Sequence, residues 1–522
     1  ETYFYSQSIS HTVDYLVSSL DVDAVYAHYG LGFDFVVIYS ELLKRVTSFD
    51  VAMSGSAGVF ITVKIKKKTL YLLDSYRLMP APLAKLGTQF KVTNSKQDLK
   101  GIMPWDLNSV DRQEYLKDDC YCLYQVLESF WCSIDSTFGF NRKNKPFRSK
   151  TLASLSLSIF CDKYTKAGKV FNPYKDQADL EQLSYFGGLV YVAANHSQLY
   201  TDVNVYDVNS MYPAVMASYK FPYSYHRSKV HKFIKNTVAL WHCKYEFYDG
   251  IPFIFDIKSR SLSFSGECII DSDTYSYVIS RGGFLEIIVG YIYERTDYIF
   301  KQFVSDCYSM RQKYGNDSAM GYVSKILMNS LYGKFGEKSL KRTLSSKQPT
   351  SGDYTIHSHG SAYSGVEIFD YESERYIQHR FPAIASFVTL RSRLVLKKAA
   401  DSQGDNFLYC DTDCIHVVGE AVDIAVSSKL GEFKKEFQGS AIYKGKKSYQ
   451  LYDSEGEIKK TVLKGIPATA RKSLDFRELV DKEVTVPFSG YTSLLSLVKD
   501  SSKEFKKVNK SRTVRDTDNR VK

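Results

Sequence analysis

The sequence predicts a multidomain protein of mixed secondary structure, with an α/β unit of about 135 residues followed by a larger α+β region. Three observations carry that expectation. The 522 residues fit about three domains at roughly 150 residues each, with core enough to need no covalent staples. Strand-like runs at 25–28, 35–39, 59–65 and 70–73 alternate with helix-like ones in the first part of the chain. The segment 138–150, rich in Asn, Lys and Arg, reads as a linker, which gives divisions at 1–135, 136–150 and 151–522.

Composition narrows the class. Apolar residues make up 44% and charged residues 24%, ordinary globular usage that excludes disordered, collagenous and coiled-coil chains. The apolar run 284–293 is among the longest and falls short of the roughly 18 residues a membrane helix needs, so a soluble protein is expected. The cysteines number nine, an odd count without a CxxC pair, and Cys120 and Cys122 are one residue apart. That usage points away from a disulfide framework and toward a reducing compartment. The chain opens at Glu1 without a secretory n-region and h-region, and is expected to be a fragment of a longer protein. A net charge of +11, with 41 Tyr and 32 Phe, suits phosphates and unstacked bases. Solvated lysines and core-filling rings explain the same numbers, so composition alone does not decide.

Three ordered segments do more. The first, Tyr206-Asp207-Val208-Asn209-Ser210-Met211-Tyr212-Pro213, follows a β-like run, which puts Asp207 at a strand end and makes Ser210 a candidate helix N-cap. The third contains Tyr409-Cys410-Asp411-Thr412-Asp413-Cys414, a tight turn between two β-like runs with two carboxylates at its tip. A purely structural hairpin would use Asn-Gly or Asp-Gly there, and clustered carboxylates repel unless a cation lies between them. With Asp207, this turn could hold two divalent ions about 4 Å apart, the arrangement for in-line phosphoryl displacement. The middle segment, Lys325 to Gly333, has helical character from about Ser318, with Gly333 as its natural stop. Lys325, Asn329 and Tyr332 stand at i, i+4 and i+7, on one face, where a cation, an amide and a ring suit a nucleoside triphosphate.

These segments resemble motifs A, B and C of family B DNA polymerases, and more narrowly those of the protein-primed branch found in phages, linear mitochondrial plasmids and related viruses. Tyr185-Phe186-Gly187-Gly188 resembles the YxGG motif between the two domains of that family. Thr389 and Arg393 resemble its Tx2(A/G)R element, Lys447-Ser448-Tyr449 its KxY motif, and Lys464 its thumb lysine. The resemblance implies an RNase H-like 3′–5′ exonuclease domain followed by a right-hand polymerase domain of palm, fingers and thumb. It implies that Asp207 and Asp413, with the Val208 carbonyl, carry two Mg²⁺ ions (Mn²⁺ substituting), that Asp411 assists, and that Lys447 and Tyr449 hold the primer end. Tyr212 becomes the steric gate against a 2′-OH; Lys325, Asn329, Tyr332 and, more loosely, Arg311, about four turns before Lys325 if the helix is continuous, contact the nucleotide. Tyr185, Gly187, Gly188, Ser210, Thr389, Arg393 and Lys464 become DNA contacts, the glycines by close approach to the template. The fingers helix falls at about 300–335, an inserted β element that encircles DNA at 337–365, and the thumb at about 455–522, with a basic exposed stretch at 503–512. The segment 223–297 stands where the family contacts its terminal protein. One departure is Cys414, where the family has Ser, a weaker hydrogen-bond donor of similar shape.

In the first domain, His28 to Asp34 resembles the ExoII motif with Asp34 as metal ligand, and Tyr115 to Asp119 the ExoIII motif, with Asp119 as ligand and Tyr115 orienting the water. Ser75 matches the hydroxyl that contacts DNA, and Lys96 the catalytic lysine. Tyr29 replaces the ExoII Asn. The ExoI Asp-x-Glu expected tens of residues before Asp34 is not in the sequence; Glu1-Thr2 could be its end, but the spacing to Asp34 is short, so truncation upstream is expected. Proofreading is accordingly expected of the complete protein.

The expected activity is template-directed deoxynucleotidyl transfer to a 3′ hydroxyl, started from a terminal protein, with DNA template-primer and deoxynucleoside triphosphates as partners, no membrane, and a monomer as the assembly. The host compartment stays open: mitochondrial for a plasmid enzyme, otherwise a viral or host-cell replication site. A catalytically silent DNA-binding scaffold or an exonuclease-only protein on the same fold is the alternative, and loss of a palm carboxylate would mark it.

Overall fold

The structure is a computed structural model that describes residues 4–19, 22–55, 57–94, 96, 108–139, 149–165, 175–315, 318–350, 353–361, 366–375, 377–472, 474–479, 484–499 and 506–514. Glu1-Thr2, most of the linker and residues 97–99 beside Lys96 lie outside them.

The chain builds two seven-stranded sheets and a smaller four-stranded one. The first sheet starts from Ala24–Ala27, which pairs in parallel with Lys68–Asp74; Ala57–Ile65 and Ser48–Ser54 continue it in antiparallel fashion. The expected strand at 35–39 is instead two short helices, Asp34–Val37 and Tyr39–Leu43. A short apolar run does not reveal its period; here Phe35, Val36, Tyr39, Leu42 and Leu43 are buried, a helical spacing. The long helix Ser109–Phe138, capped by the Asn108 side chain on two backbone N–H groups and stopped by Gly139 at φ 58°, packs along this unit.

The excursion at 337–365 does not stand apart. Its strand Leu340–Ser345 pairs with Ser48–Ser54, and Glu367–Glu374 and Tyr354–Ser361 complete the sheet, so the element runs past 365 and extends the first unit's own sheet. Its neck is drawn together by Glu337, whose carboxylate meets Lys334, Lys341 and His379. Burial opposes ionisation there, yet His379 and the two lysines hold the carboxyl far below the usual range.

The second seven-stranded sheet is antiparallel throughout, in the order Ile458–Leu463, Ser448–Tyr452, Phe433–Gly445, Leu199–Val208, Cys414–Val418, Phe407–Asp411, Val190–Val192. Behind it lies the helix Pro382–Asp401, buried along nearly its whole length. Segment 223–297 folds as the sheet Ser265–Asp271, Ala239–Glu246, Phe284–Tyr293, Arg227–Val230 with the helix Ser272–Ser280, around a fully buried Trp241 whose indole N–H donates to Ser272 at 3.0 Å.

The helix expected to be continuous through Arg311 and Lys325 is broken. Lys301–Tyr314 ends at Gly315, whose φ of 82° few other residues adopt, and Ala319–Phe335 restarts under a Ser318 cap, packed against its predecessor. Gly333 is not the stop; the helix runs two residues further because Leu331 and Phe335 are fully buried. The basic stretch near 503–512 includes a strand, Lys507–Val514, paired with Val484–Tyr491. Among the described residues, no helix is long and apolar enough to cross a membrane.

Candidate active site

Three strands of the central sheet bring the acidic segments together. Asp207 lies opposite Cys414 in register, and the Val208 N–H donates to the Asp413 carbonyl at 2.7 Å. Asp207 and Asp413, 206 positions apart in the chain, thus stand at the same end of neighbouring inner strands. The turn that carries the other two acids is tight: Thr412 sits at φ 64°, a conformation β-branched residues rarely take, and the Asp413 N–H reaches the Asp411 carbonyl at 2.7 Å. The Thr412 N–H donates to Leu189 at 2.7 Å, fastening the turn to the segment 185–189.

Asp207 and Asp413 face an unfavourable environment as carboxylates. Burial, then the charge of Asp413, pushes the Asp207 carboxyl up to about 7 against the partial relief of Lys460 and Lys325. Burial, then Asp411, pushes Asp413 up as well. Asp411 is differently placed, accepting from Lys447 Nζ at 2.8 Å, from Thr412 at 2.9 Å and from Tyr409 at 3.1 Å. The expected convergence of three carboxylates is therefore a pair plus one neutralised neighbour. Among the described residues no group of three or more His, Cys, Asp or Glu side chains is arranged as a metal site. The Asp207–Asp413 pair, with hard oxygen donors and unbalanced charge, still fits Mg²⁺, which binds through one or two carboxylates and substrate phosphates.

Beneath the turn, Tyr409, His416, Tyr443 and Tyr449 form an aromatic cluster, with His416 accepting or donating at 2.8 Å to Tyr443 and held neutral by burial, its pKa down at about 3. Tyr449 belongs to this cluster and is buried; it supports the hairpin and offers little surface to a primer. Cys414 Sγ lies 3.6 Å from the Asp411 carbonyl, so the thiol occupies the place of the family's Ser with a long, weak contact.

The helix Ala319–Phe335 presents Lys325 and Asn329 to solvent and Tyr332 half-buried, while Val323, Leu327, Met328 and Leu331 face the core, so the expected stripe exists. Tyr332 packs on Tyr212, rings 4.6 Å apart and tilted by 44°. Arg311 is on the other helix, and its guanidinium donates to Ser210 Oγ at 3.0 Å. Ser210 precedes the helix Met211–Ser218 as expected, but at φ 54° and without a side-chain cap. Lys464 is exposed, and its N–H donates to the Lys447 carbonyl at 3.0 Å.

Thr389 and Arg393 do not reach a DNA surface. Thr389 is buried and donates to Ser386 at 3.2 Å; Arg393, 2% exposed, donates to the carbonyls of Gly187 at 2.7 Å and Phe186 at 3.4 Å. Nearly all side chains of the helix Pro382–Asp401, with Lys398 the exposed exception, face core, which spacing along one sequence did not reveal. Gly188 likewise answers an internal demand: a Cβ there would stand 2.9 Å from Thr412 Oγ1 and 3.0 Å from its Cα, whereas at Gly187 it would meet open space. Gly188→Ala should destabilise by about 1–3 kcal/mol and Gly187→Ala by less than about 0.5 kcal/mol, as read from thermal melts. Tyr185 closes the group, packed so tightly on Gly336 that a Cβ there would meet its ring at 2.4 Å.

The first unit holds a second acidic site. Lys96 Nζ meets Asp119 Oδ2 at 2.5 Å and lies over the Tyr115 ring at 5.3 Å. Among the described residues Asp119 Oδ1 is buried without a hydrogen-bond partner, and burial, with Asp74 and Asp119 nearby, pushes the Asp34 carboxyl up. An orphaned carboxylate oxygen beside a second desolvated carboxyl fits a divalent ion. Ser75, expected on DNA, is fully buried and touches His28 Nδ1 at 2.9 Å and the Ala27 carbonyl at 3.2 Å. The sequence reading missed Asp74, which accepts from the Tyr29 and Leu31 N–H groups and shapes the loop before Asp34, and also Glu436 and Lys460 beside Asp207. Only strand register brings the last two there, so no local signal exposed them.

Comparison with known proteins agrees with this architecture. The fold is that of Phi29 DNA polymerase, whose complex with primer-template DNA superposes with a TM-score of 0.76 at 19% identity, covering 98% of this chain and 94% of that one. The ternary complex with incoming nucleotide gives 0.75 at 20% identity, covering 97% and 93%. The family described as DNA polymerase type B, organellar and viral, matches residues 100–361, and the chain belongs to it. A probable DNA polymerase of Neurospora intermedia is 26% identical over 68% of this chain and 39% of its own length, and one of Ascobolus immersus 23% over 84% and 42%. The DNA-directed DNA polymerase of Enterobacteria phage PRD1 is 24% identical over 88% of this chain and 78% of its own. The chain thus spans about two fifths of the fungal relatives. Polymerases of this family generally use divalent metals.

Proposed function

We propose that this protein is a template-directed DNA polymerase that extends a 3′ hydroxyl with deoxynucleoside triphosphates on a DNA template, in the replication of a linear viral, plasmid or mobile-element genome, with a terminal protein as first primer. The observation that carries it is the desolvated Asp207–Asp413 pair at one end of two neighbouring inner strands, with Lys325 near enough to offset part of the cost of the Asp207 charge. In the proposed step the 3′ oxygen attacks the α-phosphorus, one P–O bond forms, the bond to the bridging oxygen breaks, pyrophosphate leaves and the hydroxyl proton passes to solvent. Bound divalent ions would supply charge neutralisation for the attacking and leaving oxygens. Asp207 and Asp413 would hold them. Lys447 holds Asp411 in place through its 2.8 Å contact, and Lys325 faces the triphosphate. Asn329 and Tyr332 border the new base pair, and Tyr212 lies under the sugar.

The boundaries we assign are an exonuclease unit at 1–139, its end moved from 135 because the helix Ser109–Phe138 runs to Gly139, a linker at 140–150 and a polymerase unit at 151–522, with 223–297 as the terminal-protein contact and 337–374 as the wall around DNA. Asp34, Asp119, Lys96 and Tyr115 are assigned to 3′–5′ excision; the Asp119 oxygen that has no partner among the described residues supports this second site. All nine cysteines are free, which supports a reducing compartment. The protein is proposed to act as a monomer.

Primer extension on a recessed template with Mg²⁺ tests the proposal. Ordered, template-dictated incorporation that stops on chelation is expected. DNA binding without any incorporation would instead make the protein a scaffold.

A further inference from the structure

We infer that Arg393, with Arg260, is a positioning residue for the metal-binding turn: the two arginines clamp the segment 185–189 against Asp411-Thr412-Asp413, so that the 223–297 unit helps set where the carboxylates stand. The inference deepens the polymerase reading and rests on it for its kinetic part alone.

The clamp is a four-layer stack. The Arg260 guanidinium lies 4.5 Å over the Phe186 ring, Phe186 stacks on Phe255 at 4.6 Å with planes 6° apart, and Arg393 lies 5.2 Å over Phe255. Phe255 and Arg260 belong to the 223–297 unit, where Ile254–Phe255 pairs with Leu262–Ser263. Their turn is stiff: Asp256 accepts from the N–H groups of Ser259 at 2.6 Å and Glu267 at 3.0 Å, and Arg260 holds φ 54°. A buried guanidinium is costly and is retained where a rigid fork is needed. Among the described residues Arg393 has no carboxylate ion pair; its Nη1 donates to both the Gly187 and the Phe186 carbonyls.

What the clamp holds is in direct contact with the turn. Leu189 accepts from the Thr412 N–H at 2.7 Å, Val190 pairs with Asp411, and Gly188 fits against Thr412 with no room for a Cβ. Thr412 is already in a strained conformation, so a shift of 185–189 changes the geometry of the turn and not merely its burial. A group that aligns metal ligands from behind usually governs affinity by 10–100-fold, as partners of ligating residues do.

The experiment uses the full chain, with bound Mn²⁺ counted by electron paramagnetic resonance and, in parallel, kcat and the KM for nucleotide in primer extension. Arg393→Lys should raise the half-saturating Mn²⁺ concentration about tenfold and lower kcat with KM unchanged. Arg260→Ala, at an exposed position that does not threaten folding, should raise it by about threefold, the worth of one exposed cation–π contact. Arg260→Lys should restore most of that loss, and Lys258→Ala, an exposed neighbour outside the stack, should leave every value unchanged. Should Arg393→Lys fail to fold, Arg260→Ala and its rescue decide. Mn²⁺ affinity within about twofold of wild type in the Arg260→Ala protein, or no Mn²⁺ binding by wild type, overturns the inference. Absence of extension by wild type with the Mn²⁺ shifts intact removes the polymerase reading and leaves the clamp standing.

Discussion

Asp413→Asn abolishes primer extension, by about 10³-fold or more, while the protein still binds primer-template DNA and melts no lower than wild type. The first part follows from the ligand role assigned to Asp413: a metal clamp supplies several kcal/mol of transition-state stabilisation, and each 1.36 kcal/mol is about tenfold in rate. The second part follows from the geometry without bound ions. Asp207 and Asp413 are two desolvated carboxylates at one end of neighbouring strands, and the charge of Asp413 raises the cost of ionising Asp207. An amide of the same shape removes one charge from that pair and leaves the Val208–Asp413 backbone bond untouched. Loss of activity with equal or higher stability therefore separates a site built for a cation from a merely structural turn, whose disruption would lower both. Extension retained at a tenth of the wild-type rate would remove the two-metal assignment. DNA binding lost together with activity would point instead to a role of the turn in holding the duplex.

Much of this site was legible in the sequence because its chemistry is concentrated in short segments. The strand end at Asp207, the acidic hairpin and the stripe Lys325, Asn329, Tyr332 each follow from residue type and local period, and the structure places them as expected. Errors fell where partners far away in sequence decide. Whether 35–39 is strand or helix depends on what covers it. Arg311 left the nucleotide stripe because Gly315 breaks the helix, a kink that a permissive residue allows but does not announce. Thr389, Arg393 and Ser75 look like exposed polar contacts in a sequence and are buried by neighbours hundreds or tens of residues away. The same limit hid the union of Leu340–Ser345 with Ser48–Ser54, since an edge strand carries no mark of the sheet it will join. Residue identity announces chemistry; only register and burial assign an audience to each side chain.

Tyr212→Val should admit ribonucleotides, raising their use relative to deoxynucleotides on the order of 10²-fold, while Tyr212→Phe stays near wild type. The argument is steric. Tyr212 starts the second residue of the helix Met211–Ser218, five positions after Asp207, and its ring is held by Tyr332 at 4.6 Å and by burial that raises its hydroxyl pKa. A ring fixed on one side cannot retreat from an added 2′ oxygen, whereas a valine leaves the space open; pocket-size discrimination of this kind is worth about 10–200-fold. The phenylalanine variant keeps the wall and loses only the hydroxyl contact with Tyr332, so it isolates shape from hydrogen bonding. Because Tyr332 supports the ring, Tyr332→Ala should relax selectivity in the same direction by a smaller factor, through a gate that is present but loose. Single-nucleotide incorporation with matched ribo- and deoxynucleoside triphosphates reads all three variants. Unchanged sugar selectivity in Tyr212→Val, with extension retained, would show that the ring lines the pocket without guarding it.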